Sequence, residues 1–168
     1  MLKKIFIGLF AVIIAGSAGY LVYADINGLF LRSDDQAKAL VDEYVTSVVK
    51  NYTSDTKQSF RGIVKQGCDF WYLNDYKTSN IAKNHSEGTG FEVDKADYSI
   101  DYNSVTYNNK QYTIDATVTK IIRYRNTPET DTSVSRHIFT IEQDNHEMFI
   151  INDEKFDEYI STETRDTP

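Results

Sequence analysis

The sequence predicts an α+β fold: two to three helices packed on a curved four-stranded antiparallel sheet, behind an N-terminal helix that is a signal or a membrane span. Three observations carry this reading. Residues 96–102 and 112–124 alternate apolar and polar side chains, as strands with one buried face do. From Ala37 to Tyr52 the apolar residues recur instead at helical spacing. Ahead of both, Met1-Leu-Lys-Lys precedes an uncharged run from Ile5 to Ala24.

A basic start followed by a long apolar run is an export signal, and the positive-inside bias leaves the rest of the chain outside the cytoplasm. The run reaches the length of about 20 residues that spans a bilayer. Val22-Tyr-Ala24 is also an acceptable small-residue cleavage site, so both outcomes stay open: a membrane anchor over residues 5–24, or a cleaved signal and a secreted domain. The segment holds no cysteine for lipidation. Residues 25–33 then read as a linker, 34–160 as one domain and 161–168 as a polar, frayed tail. The expected location is extracytoplasmic.

Formal net charge is −7, and loss of residues 1–24 would remove Lys3 and Lys4 but no acidic residue. Such a domain lacks the basic surface that nucleic acid or anionic lipid requires. The roughly 140 residues that follow the export segment suit a single core. Cys68 is the one cysteine, so no intramolecular disulfide supports that core.

Ser33-Asp-Asp-Gln36 fits a capping box and opens the first helix. Its stripe runs through Ala37, Leu40, Val41, Tyr44, Val45, Val48, Val49 and Tyr52, while Asp42, Glu43, Ser47 and Lys50 lie off it. A shorter helix is expected from about Asp55 to Gln66, with Phe60, Ile63 and Val64 inward and Gly67 as its stop. A third begins in the aromatic-rich segment Asp69–Tyr76 and ends before His85. Ser86-Glu-Gly-Thr-Gly90 links it to the sheet.

The first strand, 96–102, buries Ala96, Tyr98, Ile100 and Tyr102. Asn108-Asn109 supplies a turn, because asparagine tolerates positive φ. The return strand aligns Tyr112, Ile114, Ala116, Val118, Ile122 and Tyr124, interrupted by Lys120, whose stem can lie on apolar surface with its ammonium in water. Residues 126–132 contain Pro128 and read as a loop. A strand from about Val134 to Gln143 follows, then a turn at Asp144-Asn145. Met148-Phe-Ile-Ile151 closes the sheet as a short strand covered on both faces.

Helices first and a hairpin meander after them is the order of the cystatin-like cone. Over residues 34–153 the chain resembles the NTF2-like superfamily, in particular the small exported domains of Gram-positive bacteria. The resemblance rests on the stripe at Ala37–Tyr52, the turns at Asn108-Asn109 and Asp144-Asn145, and the closing Met148–Asp153. It implies a cone with a concave mouth between helices and sheet. Relatives of this kind accompany cell-wall amidases or form outer parts of conjugation channels. The mouth hosts enzymes, ligand pockets and plain interaction surfaces alike, so shape transfers no function.

Two constellations stand out. Tyr72, Tyr98, Tyr102, Tyr112 and Tyr124 could line a cavity, or simply fill the half-buried sheet and send their hydroxyls to its wet edge. Arg123, Arg125, Arg136 and His137 form a basic cluster in an acidic chain. If the hairpin around 126–133 closes symmetrically, Arg123 lies opposite Arg136, and like charges in register call for an anion between them. That would be an acidic partner segment or a wall polymer, unless Glu129, Asp131, Glu142 or Asp115 neutralises the cluster within the domain. For acid–base chemistry Asp69, Asp75, His85 and His137 are available, but they match no catalytic motif and no catalytic residue is assigned. His85, His137 and His146 are too scattered for a metal site, and no cofactor is expected. The reading is a non-catalytic accessory or scaffolding domain. Its alternatives are a ligand pocket or an isomerase- or hydrolase-type enzyme in the same mouth.

Overall fold

The computed structural model describes residues 33–54, 56–86, 92–144 and 147–164, without the side chains of 82–86. The expected export segment and linker, residues 1–32, and residues 165–168 lie outside the described residues. No described helix is long and apolar enough to cross a membrane.

Helix α1 spans Asp34–Lys50, directly after Ser33. Asp34 and Asp35 in its first turn and Lys50 in its last complement the helix dipole. The expected stripe is the buried one: Ala37, Val41, Tyr44, Val45 and Val49 all face inward. Helix α2 spans Asp69–Ser86.

The helix expected over Asp55–Gln66 does not form. Gly62 (φ 86°) and Gly67 (φ 81°) adopt left-handed conformations. The hydroxyls of Ser54 and Ser59 accept from the backbone N–H groups of Thr56 and Arg61, which favours turns over a helix. Phe60, Ile63 and Val64 are nonetheless buried. They arrive in a loop that pairs with the sheet: Lys65 N donates to Ile150 O (3.0 Å) and Ile150 N to Ile63 O (2.9 Å). The pairing satisfies backbone groups on an otherwise open edge. Gly67 accordingly introduces α2 instead of ending a helix.

Strands β1 (Val93–Asn108), β2 (Gln111–Tyr124), β3 (Glu129–Asp144) and β4 (Glu147–Thr164) form one antiparallel sheet in the order β1-β2-β3-β4. The first turn sits one residue later than expected, with Asn109 (φ 48°) and Lys110 (φ 64°) both left-handed. The loop between β2 and β3 is shorter than expected because β3 already pairs with β4 from Glu129 and with β2 from Thr130. The last strand departs most from expectation. It continues through the presumed tail, where Ser161–Thr164 pair with Thr132–Glu129.

One face of the sheet carries the core. Ile114, Ala116, Val118, Phe139, Ile141 and Ile150 meet the inward side of α1. Tyr44 is the central joint, its ring 5.7 Å from Phe60, 5.9 Å from Phe70 and edge-on to Phe139 at 6.1 Å.

Candidate functional site

On β3, Ser135 and His137 are two apart and therefore share the core face. Their side chains meet: Ser135 Oγ lies 2.9 Å from His137 Nε2. On the other side of the ring, His137 Nδ1 lies 2.7 Å from Asp153 Oδ1. The ring also stacks on Phe139, with centroids 5.5 Å apart.

Asp153 reaches this face through an irregularity in β4. Ile150 pairs with Ile141, but Asn152 pairs with Thr140, so Ile151 is an inserted residue. A single insertion exchanges the two faces of everything beyond it. Ile150 and then Asp153 both point to the core as a result. A second insertion follows, where Asp157 and Glu158 together oppose Ser135, and Asp157 takes a left-handed φ of 41°.

The chain of polar contacts continues into the helices. The Tyr44 hydroxyl donates to Asn74 Oδ1 (3.2 Å). Burial, followed by the charge of Asp153 and a hydrogen bond to it, pushes the Tyr44 hydroxyl well above its ordinary pKa. Lys155, the cross-strand partner of His137, pairs through Nζ with Glu158 Oε1 at 2.5 Å. The hydrogen bond from Lys155 is the main cause that holds the Glu158 carboxyl below its usual range, with Lys120 and His137 adding to it. Lys120 does not reach water as freely as a snorkelling lysine. Burial, and then the nearby Lys155, lowers its pKa.

Serine, imidazole and carboxylate in line are the parts of a nucleophile, a base and the group that orients the base. Ser135, however, has 0% exposure. Two cavities among the described residues lie elsewhere. One, of about 560 Å³, is lined by Cys68, Phe70, Leu73 and Ile151; the other, of about 370 Å³, by Phe60, Trp71 and Asp75.

The five tyrosines line neither cavity. Tyr112 is fully buried. Tyr102 donates to Lys38 O (2.9 Å), and Tyr98 lies 2.5 Å from Thr46 Oγ1, so both bind β1 to α1. Tyr124 donates to Asp131 Oδ2 at 2.6 Å; burial first, and then that bond, raise its pKa to about 12. Tyr72 stands 65% exposed on α2.

The basic cluster is not brought together. The hairpin register sets Arg123 opposite Thr130 and Arg136 opposite Thr117, because β3 starts earlier than the symmetric loop assumed. Thr130 is six residues from Arg136 on β3, a separation of about 20 Å at ~3.3 Å per residue. Arg136 is neutralised by Asp115 through Nε (3.0 Å) and Nη2 (2.5 Å). Arg125 lies 3.9 Å from both Glu92 and Asp94. His137 points to the opposite face.

Of the other groups weighed, Asp69 is exposed and Asp75 pairs with Lys57. The side chain of His85 and all of His146 lie outside the described residues. Among the described residues no three His, Cys, Asp or Glu side chains are grouped to hold a metal ion. Sequence reading missed Ser135 and Asp153. The Ser-x-His spacing was a legible hint, but Asp153 required knowledge of the Ile151 insertion. Comparison with family models, curated proteins and solved structures finds no match.

Proposed function

We propose that this protein is a non-catalytic extracytoplasmic accessory domain, of the NTF2-like kind, that holds a protein partner at the outer face of the membrane of a Gram-positive-type cell. The observation that carries the reading is that the space between helices and sheet is filled by the protein's own aromatics. Tyr44, Phe60, Tyr112 and Phe139 are all buried there. Tyr98 and Tyr102 use their hydroxyls on α1 instead of turning them to a ligand. An acidic exterior and an export segment fit a domain that works by contact outside the cell. The test is a pull-down of the tagged full chain against the membrane and wall fraction of its source cell, read by mass spectrometry. Recovery of one stoichiometric partner supports the reading; retention of nothing above control removes it.

The hydrogen-bonded series Ser135–His137–Asp153 favours a second reading, a hydrolase. It demands more of the molecule. The Lys155–Glu158 pair and the insertion at Asp157 would have to move before a carbonyl carbon could approach Ser135 Oγ.

A further inference from the structure

Helix α2 packs Phe70 and Trp71 against the core but leaves other large apolar side chains outside. Its buried side chains include the polar Asn74 (5% exposed) and Thr78 (2%), while Leu73 (49%) and Tyr76 (69%) join Tyr72 at the surface. Positions 69, 72, 73 and 76 are neighbours on one helical face. An apolar helix face left in water while polar residues are buried beneath the same helix is a mark of a surface meant to be covered.

That face runs into the cavity of about 560 Å³, whose floor is Phe70, Leu73 and Ile151. Its rim is acidic. Asp69 and Glu142 line it with Lys65, and Lys65 is already engaged by Glu142 (2.7 Å) and by Asp144 (3.7 Å). Those bonds, the one to Glu142 first, raise the Lys65 pKa and keep it charged and held. Two carboxylates around one ammonium, with Asp69 in the same lining, leave the rim negative on a chain of net charge −7. A second copy of this chain would bring like charge to like. A positively charged segment with large apolar residues matches the rim and the floor together, and the exposed faces of Tyr72 and Tyr76 can take its cations.

We propose that the cleft between the start of α2 and the β3–β4 hairpin docks a basic, apolar segment of the partner protein. This rests on the accessory-domain reading and names the chemistry of its partner. It replaces the acidic partner that the dispersed arginines no longer support.

Cys68 lines the cleft and is the chain's one thiol, so its modification reports on occupancy. The full chain is treated with a maleimide in the presence of a synthetic lysine–leucine helical peptide, a glutamate–leucine peptide, or a lysine–serine peptide. Only the lysine–leucine peptide should slow modification, by about tenfold at saturation, and Leu73→Glu should abolish the protection without lowering Tm. Equal protection by the glutamate–leucine peptide, or none by the lysine–leucine peptide, overturns the proposal. So does protection that grows with protein concentration alone, which would mean a second copy occupies the cleft. In the pull-down, a partner still captured by Leu73→Glu refutes the cleft but leaves the accessory reading standing. Loss of every partner from the unaltered chain refutes the accessory reading itself.

Discussion

His137 Nδ1 and Asp153 Oδ1 lie 2.7 Å apart across two strands, and Asp153 shares the core face with Ile150 because β4 carries Ile151 as an extra residue. Deleting Ile151 would leave Ile150 opposite Ile141 and Asn152 opposite Thr140 in a regular ladder, so Asp153 stays on the core face and that variant should keep the contact. The direct cut is to remove one partner. His137→Ala leaves Ser135 and Asp153 without their shared partner in a buried setting, at a cost of about 2–4 kcal/mol. Asp153→Asn should cost a similar amount. The double variant should cost about 1 kcal/mol or more below the sum, since the two act as one unit. Urea unfolding of the four proteins checks this; strict additivity would mean that the contact contributes nothing.

Lys120 opposes the fold at neutral pH. Its folded pKa lies below the ordinary 10.5, through burial and then Lys155. The unfolded chain therefore binds more protons between the two values, and stability rises as pH climbs through that window. Lys120→Met keeps the apolar stem and removes the charge, and should stabilise by about 1 kcal/mol near pH 7. The advantage should shrink as pH approaches 10.5. Thermal melts across that range decide it.

Asp115 acts in the opposite direction. Hydrogen bonds from Arg136 first, then from Asn103, hold its pKa at about 2 against an ordinary 3.8. Its contribution is present above the unfolded value and is lost as pH falls from 3.8 through about 2. Asp115→Asn should flatten that part of the acid-unfolding curve and leave the curve above about pH 5 parallel to the original.

The tyrosine hydroxyls on β1 fasten a helix. Tyr102→Phe removes the bond to Lys38 O and should cost about 1 kcal/mol, with no change in binding of any small ligand. Ile114→Ala, at a fully buried site, should cost about 2–5 kcal/mol. Denaturant titration separates the two.

The sequence displayed what depends on period. The α1 stripe and the inward faces of β1 and β2 were legible because helical and two-residue repeats, broken only by Lys120 on β2, leave a direct trace. Phe60, Ile63 and Val64 were rightly read as core yet assigned to a helix, since apolar spacing says what is buried and not that a loop will pair with Ile150. β4 hid most. Two insertions break its alternation, so the strand was read only over Met148–Ile151 and residues from Ser161 as tail, and Asp153 could not be placed beside His137. The arginine cluster failed on register: a hairpin closing symmetrically around 126–133 would set Arg123 opposite Arg136, and the true start of β3 at Glu129 draws them apart.

On the proposed accessory reading, Ser135, which is fully buried though aligned with His137 and Asp153, meets no substrate. The direct test is exposure of the folded full chain to a fluorophosphonate, which bonds to an activated serine oxygen as fluoride leaves. The predicted result is no label on Ser135 in the native protein. Stoichiometric labelling of Ser135, abolished by His137→Ala, would contradict it and make the protein a hydrolase.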